Sequence, residues 1–109
     1  MFLKKEQLAA INTLLEGKFN DKGELYARVI TRKDRLNDQE IYNKIAVHIN
    51  TETNMFTDGE VEFNAQEKKY LKDIFEEDMP GSWARQCTAI IKLMYGGKEE
   101  ESTDIPANS

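Results

Sequence analysis

The fold is decided by the stretch Glu24-Leu25-Tyr26-Ala27-Arg28-Val29-Ile30-Thr31-Arg32-Lys33-Asp34-Arg35-Leu36. Read as a helix, it places Leu25, Val29 and Leu36 on one face, and its length and its helix-forming residues suit that reading. Read as a strand, it alternates its side chains between two faces of a sheet. The β-branched cluster at 29–31 favours the strand, which we predict over residues 25–32.

A helix is predicted before this stretch, over about residues 4–16. Leu8, Ile11 and Leu15 recur at helical spacing and would line one apolar face. Gly17 is predicted to end the helix in a left-handed conformation, which glycine adopts at the least cost. The next residues, 20–23, have the composition of a turn.

The clearest helix start follows the deciding stretch, at Asn37. Glu40 lies three residues later, as in a capping box, and Leu36 would pack on Ile41 as a hydrophobic staple. The helix is predicted to continue to about Ile49.

A β-hairpin is predicted over residues 55–63. Asp58-Gly59 is typical of a type I′ turn, in which both central residues have positive φ. Val61 and Phe63 would then point into the core, with Glu60 and Glu62 in solvent.

Two more helices complete the predicted core. Asn64 and Glu67 form a second capping-box pattern, and Ser82 is the expected cap of the last helix. With these, the fold class is α+β, mainly α, with about four helices and a small β element. We predict a single compact domain over 1–97 and a disordered acidic tail over 98–109, which has too few apolar residues to fold.

Charge is unevenly distributed along the chain. Residues 1–50 carry nine basic and seven acidic side chains, whereas residues 51–109 carry six and thirteen, for a net charge of −5. An acidic total disfavours general binding to nucleic acids or anionic membranes. No apolar run approaches a membrane-spanning length or resembles a signal peptide, so a reducing cytoplasm is the expected compartment.

Catalytic chemistry is nearly absent from the sequence. Cys87 lies on the apolar stripe of the last helix, where a thiol stays protonated, and His48 is the only imidazole. One Cys and one His are too few for a structural zinc site, and neither Asp-Gly loop fits an EF-hand. We therefore predict a protein that is not an enzyme and has no cofactor, metal site or catalytic residue.

Two charged surfaces are the candidate partner-binding sites. The first is basic and comprises Arg28, Arg32, Lys33 and Arg35. The second is acidic and comprises Glu60, Glu62, Glu76 and Glu77. The basic segment 28–35 could also contact phosphates, with Tyr26 stacking on a base, or could pair internally with the acidic half.

These observations favour a small regulator, inhibitor or adaptor that occupies the surface of a protein partner. Its composition resembles that of phage or mobile-element accessory proteins. The alternative is a nucleic-acid-binding module that uses the basic segment 28–35. Opposite charges on the two halves would also suit self-association into a homo-oligomer.

Overall fold

The computed structural model of the chain describes residues 1–96. In chain order its elements are β1 (Phe2–Leu3), α1 (Lys5–Glu16), β2 (Gly17–Phe19), β3 (Leu25–Ala27), α2 (Arg35–Ala46), β4 (Ile49–Asn50), β5 (Met55–Phe56), β6 (Gly59–Glu60), α3 (Ala65–Phe75) and α4 (Gly81–Met94). Over this range, four helices and three antiparallel strand pairs confirm the predicted mainly helical α+β class. The predicted tail, 98–109, lies outside the described residues.

The core is built mainly from the inner faces of the four helices. α1 contributes the most buried apolar side chains, among them Leu8, Ile11 and Leu15, and it packs against α2, α3 and α4. These three residues form the stripe that the spacing predicts. Burial of this stripe stabilises α1 more than its helix propensity does.

The chain passes from α1 directly into a strand. Gly17 has φ −135° and ψ 160°, so it is extended, and the prediction of a left-handed glycine there was wrong. Positive φ occurs instead at Gly23 (79°), in the turn between β2 and β3. Asn20 Oδ1 accepts hydrogen bonds from the backbone N–H groups of Lys22 and Glu24 and thereby closes this turn.

The strand predicted over 25–32 is present but shorter. β3 ends at Ala27 and pairs with β2, with Lys18 opposite Tyr26. Beyond Ala27, the side chain of Arg28 turns under the strand pair to reach the carbonyl oxygens of Leu14 and Gly17. The β-branched residues 29–31 follow Arg28 and are not part of β3. They lead into a tight turn in which the N–H of Asp34 donates to the carbonyl oxygen of Thr31.

Helix α2 begins at Arg35, two residues before the predicted cap at Asn37. Asp34 occupies the N-cap position with helical backbone angles and makes no side-chain capping bond. Leu36 therefore lies inside the first turn and is exposed, so the predicted staple between Leu36 and Ile41 is wrong.

The residues predicted to form a hairpin over 55–63 pair with other parts of the chain. β5 pairs with β4, and β6 pairs with β1 at the N-terminus. Asp58 Oδ1 accepts from the backbone N–H of Lys5, at 2.7 Å, and so caps α1 instead of turning a hairpin. Gly59 does not have positive φ. Val61 and Phe63 are buried, as the alternation predicts.

The capping box at the start of α3 is confirmed. Asn64 Oδ1 accepts from Glu67 N–H, and Glu67 Oε1 accepts from Asn64 N–H. α4 begins at Gly81 after Pro80, one residue before the predicted cap. None of the helices in residues 1–96 is long and apolar enough to cross a membrane.

Candidate docking surface

Large apolar side chains protrude from the stretch that follows the β2–β3 turn. Four of the eight exposed large hydrophobic residues described in the chain fall between residues 25 and 36. They are Leu25 (48% exposed), Tyr26 (49%), Val29 (90%) and Leu36 (67%). Exposed apolar residues that occur singly are ordinary, so four of them within twelve residues of sequence make this stretch a candidate interaction site.

Basic side chains lie among these apolar ones. Arg32, Lys33 and Arg35 are exposed. No hydrogen bond or ion pair to their side chains occurs within residues 1–96. Within the described residues, these three side chains therefore add three unpaired positive charges to the stretch. The candidate docking surface comprises the seven exposed side chains of this stretch, which are Leu25, Tyr26, Val29, Arg32, Lys33, Arg35 and Leu36. As successive strand residues, Leu25 and Tyr26 point to opposite faces of β3.

Arg28, the fourth predicted basic residue, faces the interior. Its guanidinium forms a two-bonded ion pair with Glu77, with Nη2–Oε1 at 2.8 Å and Nη1–Oε2 at 2.9 Å. Nε also donates to Leu14 O, at 2.9 Å, one of the carbonyl groups left unpaired at the end of α1. The Arg28 side chain is only 10% exposed, so it supports the docking surface from below and is not part of it.

Ionisable groups around Arg28 are partly buried, which shifts their pKa values. Hydrogen bonding to Glu77 raises the pKa of Arg28, although burial acts in the opposite direction. Burial, assisted by the Asp38 and Asp34 carboxylates, raises the pKa of Tyr70 to about 12. Burial also raises the pKa of Asp38. This polar cluster is held together by α1, α2 and α3, and it fixes the position of the chain after β3.

The four predicted acidic residues fall in two pairs, one before α3 and one after it. The Glu60 and Glu62 carboxylates lie 3.2 and 3.6 Å from the amino group of Met1, before α3. Glu76 pairs with Lys72 at 3.7 Å, and Glu77 pairs with Arg28, both after α3. A helix of this length, about 16 Å, separates the two pairs.

Cys87 and His48, the two side chains considered for catalysis, both make contacts that hold the fold together. Cys87 is buried, its Sγ lies 3.6 Å from Met79 Sδ, and burial raises its pKa to about 11. His48 Nε2 lies 2.7 Å from Glu60 O, and its ring packs against Gly59. Across the described part of the chain, no three His, Cys, Asp or Glu side chains converge on a position for a metal ion.

The sequence analysis identified the basic residues of the docking surface and Tyr26, but it did not identify the aliphatic residues Leu25, Val29 and Leu36. Leu36 was assigned to a staple, and Leu25 and Val29 to the faces of a longer strand. Strand alternation gives no reliable signal for these residues, because it places the exposed Tyr26 on the same face as the inward Arg28 and because β3 ends at Ala27. The sequence does not show that Arg28 is the inward residue, since that depends on Glu77, 49 residues away.

No family model, curated protein or solved structure matches this chain. Its function is therefore inferred from the contacts, exposures and charges described above.

Proposed function

We propose that this protein is a non-enzymatic binding module that docks an acidic, partly apolar protein partner on the surface formed by residues 25–36. It would act as a regulator, inhibitor or adaptor by occupying that partner. One observation carries the proposal: within twelve residues of sequence, four large apolar side chains are exposed together with three basic ones that have no partner among residues 1–96.

The composition of the docking surface suits protein recognition. Tyr26 and the arginines are residue types that often dominate binding energy at interfaces. Arg32, Lys33 and Arg35 would accelerate encounter with an acidic partner and exclude basic ones. Burying Leu25, Val29 and Leu36 would supply apolar contact area, at roughly 25 cal/mol for each Å² removed from water.

The surroundings of the two potential catalytic side chains support a binding role over an enzymatic one. Cys87 has a raised pKa in the core, and the His48 ring is held against β6. A reducing cytoplasm suits a buried free thiol, and we propose that compartment. The small size and acidity also suit an accessory protein of a phage or mobile element.

Nucleic-acid binding is the second candidate function, because Tyr26 is half exposed beside basic residues and could stack on a base. Two observations weigh against it. Arg28 is neutralised by Glu77, and the chain as a whole carries a charge of −5. Three remaining cations give few phosphate contacts and only weak binding.

A pull-down from cell lysate, with and without nuclease, tests the proposal when three proteins are compared. These are the wild type, a triple variant R32A/K33A/R35A, and a control triple variant K5A/R85A/K92A with the same charge change elsewhere. We expect a stoichiometric protein that survives nuclease, is retained by the control and is lost by R32A/K33A/R35A.

Two results would contradict the proposal. One is a set of partners that R32A/K33A/R35A retains unchanged, because the docking surface would then be irrelevant. The other is recovery of nucleic acid with no protein left after nuclease, which would favour the second candidate function. Repeating the capture at higher salt should weaken the wild-type interaction.

A further inference from the structure

The backbone groups of β3 alternate between the two edges of the strand. Arg28 N–H donates to Glu16 O and Asn20 N–H donates to Glu24 O, on either side of the β2–β3 pair. Hydrogen-bonded and non-bonded residue pairs alternate in an antiparallel ladder, so Tyr26, opposite Lys18, belongs to a bonded pair. The N–H and C=O groups of Leu25 and Ala27 must therefore point away from β2.

That outer edge is open within residues 1–96. β2 and β3 form a two-stranded sheet, and the outward groups of Leu25 and Ala27 have no hydrogen-bond partner there. All three residues of β3 are exposed. The edge of β2 is different, because Gly17 is buried and its carbonyl accepts from Arg28 Nη2.

The open edge has one of the features that deter a second strand and lacks the others. Natural edge strands are protected by short length, by lysine or proline, by a bulge or by an inward charge. β3 is short, at three residues, but Leu25-Tyr26-Ala27 contains no lysine, proline or charged residue. The charged side chains next to it in sequence already have partners, since Glu24 accepts a hydrogen bond from Asn20 and Arg28 is paired with Glu77. An unpaired edge flanked by exposed apolar side chains is suited to addition of a short strand.

We propose that the outer edge of β3 is a strand-addition site for an extended acidic segment of a partner protein. The inference rests on the proposed function and specifies how its partner binds. Leu25 and Ala27 would donate and accept backbone hydrogen bonds, which supply affinity independently of sequence. Arg32, Lys33 and Arg35 follow the strand in sequence and are exposed, and they would select acidic side chains by charge complementarity.

The probe is a fluorescently labelled ten-residue peptide of alternating valine and glutamate, titrated against the full chain by fluorescence anisotropy. Two control peptides change one property each. In the first, lysine replaces glutamate, which reverses the charge. In the second, every residue is N-methylated, which removes the backbone donors. We expect binding of the Val-Glu peptide and at least about tenfold weaker binding of either control.

The protein variant that tests the edge is Ala27→Pro, matched with Ala27→Thr. Proline removes the outward N–H of Ala27 but leaves the bonds between Tyr26 and β2, and edge strands tolerate it. We expect about tenfold weaker binding of the Val-Glu peptide by A27P and unchanged binding by A27T. Equal thermal unfolding of the two variants shows that A27P folds. If A27P unfolds, the N-methylated peptide still tests the backbone contacts.

The outcomes separate strand addition from the proposed function. Equal binding of the N-methylated and unmodified Val-Glu peptides, or equal binding by A27P and A27T, overturns strand addition. If R32A/K33A/R35A still abolishes capture of the cellular partner, the docking surface remains valid without it. Failure of wild-type protein to bind the Val-Glu peptide also overturns the strand-addition proposal. Equal binding of the lysine peptide overturns its charge preference.

Discussion

Arg28 and Glu77 form a two-bonded ion pair that links the basic half of the chain to the acidic half across 49 residues. The same guanidinium donates to Leu14 O and Gly17 O, so it also caps the end of α1. The Arg28 side chain therefore links the end of β3 to α1 and to the residues that follow α3. Because this contact neutralises Arg28, the basic side chains left for a partner are Arg32, Lys33 and Arg35.

Removing this contact should destabilise the fold. Arg28→Ala leaves the partly buried Glu77 carboxylate without its cation and removes a donor from the carbonyl groups of Leu14 and Gly17, so we expect a loss of about 2 kcal/mol in the free energy of unfolding. Arg35→Ala, which removes an exposed and unpaired cation, should change it by no more than about 0.5 kcal/mol. Urea denaturation of both variants measures the difference, and equal stabilities would refute a structural role for Arg28.

A second ion pair, Lys44 with Glu67, predicts a non-additive pair of substitutions. Glu67 is 1% exposed, and its Oε2 makes no hydrogen bond within the described residues. Lys44→Met leaves that carboxylate without a cation and should cost about 3 kcal/mol. Glu67→Gln keeps the capping-box acceptor and should cost less.

The double variant K44M/E67Q tests this coupling. It removes both charges, so we expect it to be more stable than K44M alone, with an interaction energy of at least about 1 kcal/mol. Chemical denaturation of the four proteins in the cycle gives this value. Strictly additive losses would show that the two side chains do not depend on each other.

Gly59 should not tolerate a side chain while His48 is present. A β-carbon on Gly59 would overlap the imidazole ring, which itself bonds to Glu60 O. Gly59→Ala should lower the free energy of unfolding by about 1 to 3 kcal/mol. Gly81→Ala is the matched control, because Gly81 lies in the first turn of α4 with only the end of Arg85 nearby, at 3.6 Å.

A compensating substitution distinguishes this overlap from a general need for glycine. In a His48→Ala background the ring is gone, so adding Gly59→Ala should cost much less than it does alone. Thermal unfolding of the single and double variants is sufficient. If Gly59→Ala is equally destabilising in both backgrounds, the overlap with His48 is not its cause.

Stability should fall at alkaline pH because the buried Cys87 thiol and the partly buried Tyr70 phenol keep their protons in the folded state. Cys87 has a folded pKa of about 11 against an ordinary 9.0, and Tyr70 about 12 against 10.0. Above pH 9 the unfolded chain ionises first, so the native state binds more protons and the free energy of unfolding decreases as pH rises. The decrease from one such group is at most about 1.4 kcal/mol per pH unit.

Urea denaturation between pH 8 and 11 measures this slope. Cys87→Ala should flatten it between about pH 9 and 11, and Tyr70→Phe should flatten it above pH 10. The comparison uses slopes, because both substitutions also change packing. A wild-type profile that is level over this range would mean that neither group is protected from ionisation in the folded state.

Patterns confined to a few neighbouring residues predicted the helices well. The stripe of Leu8, Ile11 and Leu15 and the capping box of Asn64 and Glu67 have the predicted roles. Both depend on contacts within one or two helical turns, which sequence spacing specifies directly. The start of α2 was misplaced because the turn closed by Thr31 and Asp34 allows the helix to begin before Asn37.

Strand pairing and the docking surface depended on partners distant in sequence. Asp58-Gly59 has the composition of a hairpin turn, but Asp58 caps α1 and Gly59 packs against His48. The residues around Asp58 do not indicate that its carboxylate will accept a hydrogen bond from the start of α1, which is 53 residues away in sequence. The exposure of Val29 and Leu36 likewise depends on the tertiary structure. The Arg28 side chain points inward beside Val29, and α2 begins at Arg35, which places Leu36 in its first turn.

By itself the amino-acid sequence determined the four helices, the inward faces of those helices and the basic character of the segment after β3. Periodicity, capping residues and charge are local properties, and they require no knowledge of the rest of the fold. Tertiary structure alone decided which strands pair, which cation is neutralised and which edge of β3 stays open. Those outcomes depend on contacts such as Arg28 with Glu77, in which each residue's partner is selected by the packing of the whole chain.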